Sequence, residues 1–339
     1  MKITICGGGS LGHVIAGYIA NQAKHEVRVL TRRPEQWNQK LKISLPEGTI
    51  IEGVLDIVTD DSQAVIPDSD LILLCVPGFA IRDVLSEIAP HLSQETSVGS
   101  VVSSTGFFFE AENILEKTNC PLFGFQRVPF IARVNKYGHS AHLLGYKPSL
   151  NLAVERATPH QQKLVQDIMS SIFCVPVTLL KSHYEASLTN SNSLLHPARI
   201  YTMWRDWHEG VTYNNCPMFY ADWTDDASRL YIEMDKEFQV LLTKLPVPDI
   251  HIQDVLSYYE SHDAPSLTRK LRSITAFKTI ASPMRQIDSE HFIPDFKSRY
   301  FTEDFPYGMY YIVKVAHDCN SAIPTIEKVF TWGMSMVKR

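Results

Sequence analysis

Glycines near the amino end of the chain have a spacing that suits phosphate binding. Gly7, Gly9 and Gly12 form a Gly-x-Gly-x-x-Gly pattern that follows a short apolar segment and opens an apolar helical run. In such a pattern the first glycine makes a tight turn, the second lacks a Cβ that would block a pyrophosphate, and the third lets helix and strand pack closely. We therefore expect a dinucleotide site in which the backbone N–H groups of Ser10 and Leu11 bind the phosphates.

The residues after the next predicted strand, at 26–30, bear on the choice of nicotinamide cofactor. An NAD site usually has an acidic residue about 20 residues past the glycines, where it binds the ribose 2′-hydroxyl. This chain has Thr31, Arg32 and Arg33 there instead, and a guanidinium suits a 2′-phosphate. We predict NADP in preference to NAD, with Arg32 at the phosphate. The alternative is that both arginines are solvated loop residues.

A polar run in the second half of the chain has residues suited to acid–base chemistry. Asn190 to Ser193 alternates Asn and Ser, and His196-Pro197 follows within a segment of helical periodicity. Asn192 and His196 are four residues apart, so they share one face of a helix. Because Asn and Ser are poor helix formers, a run of them inside a helix indicates a polar cleft. We predict that His196 and Asn192 are catalytic residues, with His196 as the general acid–base; the alternative is a histidine with structural hydrogen bonds only.

A charged segment at residues 297–308 supplies groups that such a histidine needs. Arg299 has the charge and the planar donors to bind a substrate carboxylate. Asp304, which precedes Phe-Pro, has the charge to orient His196 and to stabilise its protonated form. The alternative is a charged loop between helices.

Predicted strands and helices, which must position these groups, alternate up to about residue 180. This alternation predicts an α/β Rossmann domain with a doubly wound, mostly parallel sheet. The apolar segment at 70–77 is typical of a buried parallel strand. Val76 and Pro77 end it at the carboxyl edge of the sheet, where ligands bind in such folds, so we expect them to flank the nicotinamide.

From residue 183 onwards the pattern is almost entirely helical. The segments 184–207 and 227–245 are each predicted as one long helix, and shorter helical patterns follow up to residue 334. In the first part, residues 34–52 form a polar segment without a predicted strand. We therefore predict two domains: a dinucleotide-binding Rossmann domain at 1–180 and an all-α domain at 181–339 for substrate binding and catalysis.

Composition excludes several other classes of function. The chain has 339 residues, a net charge of −5, 45% hydrophobic residues and 20% charged residues, which is ordinary for a globular enzyme and unlike a nucleic-acid-binding protein. No apolar run reaches the ~18 residues of a membrane span. The six cysteines show neither a Cys-x-x-Cys pair nor metal-binding spacing, so we expect no metal site, reduced thiols and a cytoplasmic location.

Three segments resemble motifs of one enzyme family, the opine dehydrogenases (octopine/nopaline dehydrogenases). They are the polar helix at 192–197, the Arg-Tyr-x-x-Glu-Asp-x-Pro-x-Gly segment at 299–308, and the Gln-Arg-Val-Pro-Phe-Ile-Ala-Arg segment at 126–133. The resemblance implies a Rossmann domain followed by a helical domain. It also implies an NAD(P)H-dependent reductive condensation of an amino acid with a 2-keto acid, in which hydride is delivered to an imine.

The same resemblance implies roles for individual residues. His196 and Asp304 fall on the family's catalytic residues, and Arg299 falls on the arginine that binds the keto acid. Arg127 falls in the segment that faces the amino acid, where an arginine-utilising member has threonine, and Ala132 stands in place of a cysteine. We therefore expect acidic or neutral amino acids as substrates in preference to arginine or lysine.

Two other functions remain as alternatives. A simple keto acid reductase, similar to ketopantoate reductase or the 3-hydroxyacid dehydrogenases, usually needs a lysine as proton donor on the interdomain helix, and Lys181 lies at the predicted boundary. A non-catalytic dinucleotide-binding regulator would use the fold without turnover. The expected partners are a small-molecule amino acid and a 2-keto acid, with no nucleic acid and no membrane. The sequence is also compatible with a homodimer.

Overall fold

The computed structural model describes residues 1–189 and 191–338. The chain divides into two compact units, Met1–Ser187 and Leu188–Arg339. The domain boundary predicted between residues 180 and 181 precedes the division between the two units by a few residues, because a short helix at 183–187 belongs to the first unit. Asn190, which belongs to the polar run singled out above, lies outside the described residues.

The first unit consists of two sheets with helices packed against them. Its strands are β1 (Lys2–Cys6), β2 (Glu26–Leu30), β3 (Lys40–Ser44), β4 (Ile50–Val54), β5 (Ile57–Thr59), β6 (Leu71–Leu74), β7 (Ser97–Ser100), β8 (Leu122–Phe125), β9 (Phe130–Lys136), β10 (Ser140–Tyr146), β11 (Leu150–Glu155) and β12 (Val177–Leu179). Its α-helices are α1 (Ser10–Asn21), α2 (Gly78–Ile88), α3 (Phe107–Ile114), α4 (Pro159–Phe173) and α5 (His183–Ser187). Short 3-10 turns occupy Pro34–Gln36, Ser62–Ala64 and Ala89–His91.

The larger sheet has the strand order β12-β11-β8-β7-β6-β1-β2-β5. Neighbouring strands pair in parallel, except that β11 runs antiparallel to β8. The chain moves outward from β1 in both directions, so the carboxyl ends of β1 and β6 lie side by side. This arrangement confirms the predicted doubly wound, mostly parallel sheet.

Both faces of the larger sheet are covered by apolar side chains. In β6, Leu71 and Leu73 join the buried cluster on one face, while Ile72 and Leu74 join the cluster on the other, as the alternation of a strand requires. All four side chains are fully buried, which explains the continuous apolar run in the sequence.

A smaller sheet in the first unit was not predicted from the sequence. Its order is β4-β3-β10-β9, with β10 parallel to β3 and the two outer pairs antiparallel. The prediction that residues 34–52 contain no strand is therefore wrong, because β3 and most of β4 lie there. In β3 only Leu41 and Ile43 are buried, so the segment is apolar on one face alone. α1 packs on this face so closely that a Cβ at Gly17 would lie 2.7 Å from Ile43 Cγ1.

The second unit is helical apart from one short antiparallel pair of strands, as far as its described residues show. Its helices are α6 (Asn192–Trp204), α7 (Asp225–Leu242), α8 (Val255–Tyr258), α9 (Ala264–Ser273), α10 (Arg299–Thr302), α11 (Tyr310–Asp318) and α12 (Pro324–Val337), with a 3-10 turn at Thr275–Phe277 and a π-helical turn at Phe305–Met309. The strands are β13 (Met284–Gln286) and β14 (Phe292–Pro294). The predicted fold class, a Rossmann domain followed by a helical domain, is confirmed.

The segment predicted as one helix at 184–207 is two helices. α5 ends at Ser187 and α6 begins at Asn192. The polar residues therefore lie where a helix starts and not inside one. The prediction was wrong because Ser and Asn, which are unfavourable within helices, are favoured at the positions where helices begin.

All six cysteines are free thiols. Cys6 and Cys75 are buried at the carboxyl edge of the larger sheet, and burial raises the pKa of both thiols well above its ordinary value. They act as small apolar side chains there.

No helix in the described part of the chain has both the length and the apolar character needed to cross a membrane.

Candidate active site

The glycine loop between β1 and α1 is shaped by close backbone contacts. Gly7 has φ +123°, and a Cβ there would lie 2.7 Å from the Cys75 carbonyl oxygen. A Cβ at Gly12 would overlap the Gly7 carbonyl oxygen. The first and third glycines therefore have the two roles expected from their spacing, a turn and a close helix–strand contact.

Gly9 differs from its neighbours because space is open beside it. A Cβ there would meet only the Cys75 carbonyl oxygen, at 4.0 Å. Gly9 immediately precedes α1, so the backbone N–H groups of Ser10 and Leu11 lie in the first turn, where they have no intrahelical acceptor. The Ser10 hydroxyl accepts a hydrogen bond from the Val134 N–H at 3.2 Å. This loop has the room and the donors that a pyrophosphate needs.

His13, which sequence reasoning missed, holds the glycine loop in place. The Gly138 N–H donates to His13 Nε2 at 2.7 Å, so Nδ1 carries the proton and donates to the Gly9 carbonyl oxygen at 2.9 Å. The ring stacks on Trp37 at 4.1 Å between centroids. Burial lowers the pKa of His13, which keeps this imidazole neutral. In the sequence, this role of His13 was indicated only by the presence of a histidine on the apolar face of α1.

The remaining residues predicted for cofactor binding lie at the ends of β2 and β6. Arg32 is exposed just after β2, and the Arg33 guanidinium lies 4.5 Å from the centroid of the Tyr137 ring. Val76 follows the end of β6, and its Cγ1 would lie 2.8 Å from a Cβ at Gly7. Pro77 is exposed and precedes α2. All of them belong to the carboxyl edge at which β1 and β6 end.

In the second unit, the structure brings His196 and Asp304 together although 108 residues separate them. His196 Nδ1 lies 2.8 Å from Asp304 Oδ2, and the two side chains are 12% and 19% exposed. Because a carboxylate only accepts hydrogen bonds, Nδ1 carries the proton and Nε2 is the basic nitrogen of the neutral ring. Such a pair fixes the imidazole and stabilises its charged form, as acid–base chemistry requires.

Tyr220 was also missed, although its hydroxyl lies 2.9 Å from His196 Nε2. It is found in the segment between α6 and α7, which has no regular periodicity and gave no signal in the sequence. Its side chain is buried, and burial, with smaller effects from neighbouring groups that include Asp304, raises the pKa of its phenol. The hydroxyl is therefore protonated. The rings of Phe219 and Tyr300 also contact His196, at 5.5 and 4.8 Å between centroids.

The remaining predicted site residues are Asn192, Arg299 and Arg127. Asn192 is exposed at the start of α6, one turn from His196, and no hydrogen bond links them among the described residues. Arg299 is exposed at the start of α10, next to Tyr300. Arg127 is half-buried between β8 and β9, in the first unit.

Comparison with known proteins divides the chain in the same way. Residues 179–337 match the family model described as NAD/NADP octopine/nopaline dehydrogenase, alpha-helical domain. Residues 3–106, which include the glycine loop, match the model of ketopantoate reductase PanE/ApbA.

Similarity to curated proteins extends over nearly the whole chain. The opine dehydrogenase of Haliotis discus hannai is 26% identical over 98% of this chain and 89% of its own length. The tauropine dehydrogenase of Arabella iricolor is 27% identical over 99% of this chain and 91% of its own length.

A solved structure of octopine dehydrogenase with NADH and L-arginine has a TM-score of 0.87 to this chain at 24% identity, covering 100% of this chain and 90% of that one. The fold is therefore shared along the entire chain. The family model in turn covers the unit that contains the His196–Asp304 pair. The helical unit thus matches that of the octopine/nopaline dehydrogenases, and the whole chain is similar in sequence to an opine and a tauropine dehydrogenase.

Proposed function

We propose that this protein is an NAD(P)H-dependent opine-type dehydrogenase, which condenses an amino acid with a 2-keto acid and reduces the resulting imine. The observation that carries the proposal is the 2.8 Å contact between His196 Nδ1 and Asp304, within the region that matches the family's helical domain. The open space at Gly9 and the first-turn N–H groups of α1 fit a dinucleotide. When bound, the nicotinamide supplies the hydride.

His196 is the proposed carrier of the protons in this reaction. Its Nε2 accepts a proton from the amine of the amino acid, which frees the nitrogen lone pair to attack the keto carbon. The imidazolium then returns this proton to the former keto oxygen, a second proton passes to that oxygen from the added amine nitrogen, and water leaves as the protonated imine forms. Asp304 accepts from Nδ1–H throughout and stabilises the positive charge of the intermediate state.

Arg299 is the proposed ligand of the keto acid carboxylate. It is exposed, and its neighbour Tyr300 packs against the ring of His196. A guanidinium binds a carboxylate through two parallel hydrogen bonds and so fixes its orientation. This orientation presents the keto carbon to the amine and then to the hydride donor.

The two alternative functions are less well supported. Lys181, the proton donor that a simple keto acid reductase would need, is exposed and lies outside the helices, ahead of α5. The ketopantoate reductase model matches only residues 3–106, which exclude the helical unit. A non-catalytic regulator has no need for a histidine and an aspartate joined in this way.

A substrate matrix tests the proposed function. Oxidation of NADPH and NADH is followed for 2-keto acids, each with and without a series of amino acids. We expect turnover only when amine and keto acid are both present. Equal turnover without amine would support the simple reductase, and tight cofactor binding without any turnover would support the regulator.

The six free thiols lead us to propose that the enzyme works in the reducing cytoplasm.

We propose NADP as the preferred cofactor, because Arg32 is exposed at the end of β2 while Arg33 already stacks on Tyr137. Arg32→Ala should weaken NADPH binding about tenfold and hardly affect NADH, since a charge-assisted hydrogen bond contributes about 1.5–3 kcal/mol. Fluorescence titrations measure both affinities.

Lys24→Ala is the matched control for Arg32→Ala. It removes an equal charge beyond the far end of α1, about 18 Å from the glycine loop, and should leave both affinities unchanged. A wild-type protein that binds NADH more tightly than NADPH would contradict the proposed preference.

We also propose that Arg127 selects the amino acid, because the motif alignment sets it in the substrate-facing segment. A guanidinium there repels a cationic side chain and attracts an anionic one. The wild type should use glutamate better than arginine, and Arg127→Thr should shift the ratio of their kcat/KM values towards arginine by about tenfold or more. Lys136→Thr, at the exposed end of β9, should not change the ratio. A preference of the wild type for arginine would remove Arg127 from this role.

A further inference from the structure

Both ring nitrogens of His196 have a partner in the structure. Nδ1 donates to Asp304 at 2.8 Å, and the Tyr220 hydroxyl lies 2.9 Å from Nε2. Proton transfer by His196, as proposed above, takes place at Nε2. The group beside this nitrogen therefore bears directly on how the imidazole is presented to a substrate.

The Tyr220 ring is held firmly in its position. It is 5% exposed and stacks with two aromatic rings, Phe277 at 4.6 Å and Trp223 at 6.1 Å between centroids. The interplanar angles are 30° and 16°. The hydroxyl therefore remains at Nε2 while its hydrogen is free to rotate.

The segment that carries Tyr220 is tied to the helix that carries His196. Arg199, one turn further along α6, donates to the Asp222 carbonyl oxygen at 2.7 Å. The Arg199 side chain is buried, and burial lowers its pKa to about 10, so it stays charged. The Asp222 carboxylate in turn accepts from the Met218 N–H at 2.7 Å. The distance between Tyr220 and His196 is thus set by contacts on both sides of the tyrosine.

A hydroxyl can satisfy Nε2 in both of its states. With neutral imidazole, the protonated phenol donates to the Nε2 lone pair. With imidazolium, the same oxygen accepts from Nε2–H after the hydroxyl hydrogen rotates away. Asp304 accepts from Nδ1–H in either state. Phenylalanine has the same shape as tyrosine but no hydroxyl, so it can neither donate a hydrogen bond to Nε2 nor accept one from it.

We propose that Tyr220 relays the proton in the condensation reaction: its hydroxyl takes a proton from the amine as it gives its own proton to His196 Nε2, and the reverse transfer returns the proton, so that the ring stays bonded at both nitrogens. The inference rests on the proposed function. It adds Tyr220 to the His196–Asp304 pair expected from the sequence. It also explains why an aromatic side chain from outside the helices is buried against His196.

The test compares Tyr220→Phe with Tyr310→Phe. Both variants remove one phenolic oxygen, but Tyr220 hydrogen-bonds to His196 whereas Tyr310 is 43% exposed at the start of α11. Tyr220→Phe should lower kcat at least about tenfold, because the proton loses its route to Nε2, with the KM of NADPH unchanged. Tyr310→Phe should retain the wild-type kcat to within about twofold. Thermal unfolding shows that each variant is folded.

A measurement independent of turnover is the ¹⁵N NMR spectrum of the His196 imidazole, identified by its loss in His196→Ala. The Nε2 signal should move in Tyr220→Phe and stay in place in Tyr310→Phe. An unchanged signal or an unchanged kcat in Tyr220→Phe would overturn the inference. Absence of turnover by the wild type with every substrate pair would instead refute the proposed function, while the NMR comparison would still decide the role of Tyr220.

Discussion

Replacing His196 with alanine is expected to lower turnover by about a hundredfold or more, the usual consequence of losing a positioned acid–base group. The imidazole is held between Asp304 at 2.8 Å and the Tyr220 hydroxyl at 2.9 Å, and a methyl group can neither accept nor return a proton. Cofactor binding should persist, because the glycine loop belongs to the other unit. Steady-state kinetics and a fluorescence titration with NADPH measure the two quantities.

The chain offers a matched control in His317. This histidine also pairs with a carboxylate, Glu327 at 2.6 Å, but its side chain is 63% exposed. His317→Ala should therefore keep normal turnover. Near-normal turnover of His196→Ala would show that the His196–Asp304 pair is a structural contact.

Replacing Gly9 with valine is expected to abolish cofactor binding while leaving the protein folded. The backbone at Gly9 is extended, with φ −83° and ψ −173°, so a branched residue is allowed there. The space beside it is open, and the new side chain would fill the volume needed by the pyrophosphate. Loss of a favourable residue before α1 costs about 1 kcal/mol of stability. Fluorescence titration and thermal unfolding measure the two effects.

Two glycine-to-alanine variants separate this effect from damage to the fold. Gly145→Ala in β10 would meet only Ile131, at 3.5 Å, and should bind cofactor normally. Gly12→Ala would overlap the Gly7 carbonyl oxygen, so it should lose stability as well as affinity. Unchanged NADPH affinity in Gly9→Val would show that the dinucleotide does not pass over Gly9.

The parts of the structure that depend on local sequence could be predicted. The glycine spacing and the apolar strand at 70–77 each encode their structure within a few residues. Asp304 was assigned as the partner of His196 from the chemistry of its segment. The structure brings the two side chains into contact, and their catalytic roles remain predictions.

The parts that depend on distant pairing could not be predicted. β3 acquires its buried face only by pairing with β10 and packing on α1, and nothing within residues 40–44 indicates a partner near residue 140. Tyr220 lies in a segment without periodicity, so its proximity to Nε2 follows from tertiary packing alone. His13 is similar, because its acceptor role toward Gly138 depends on a turn 125 residues away.

The pairing of β3 with β10 also has a consequence for the order of events during synthesis. At about 5–20 residues per second, a ribosome needs roughly 5–20 s to extend the chain from the end of β3 to the end of β10. For most of that interval His13 lacks the Gly138 N–H that anchors it, and one side of α1 has no completed sheet to cover it. We therefore expect the glycine loop to gain its full affinity for a dinucleotide, and the unit to gain stability from binding it, only after the hairpin of β9 and β10 has been synthesised.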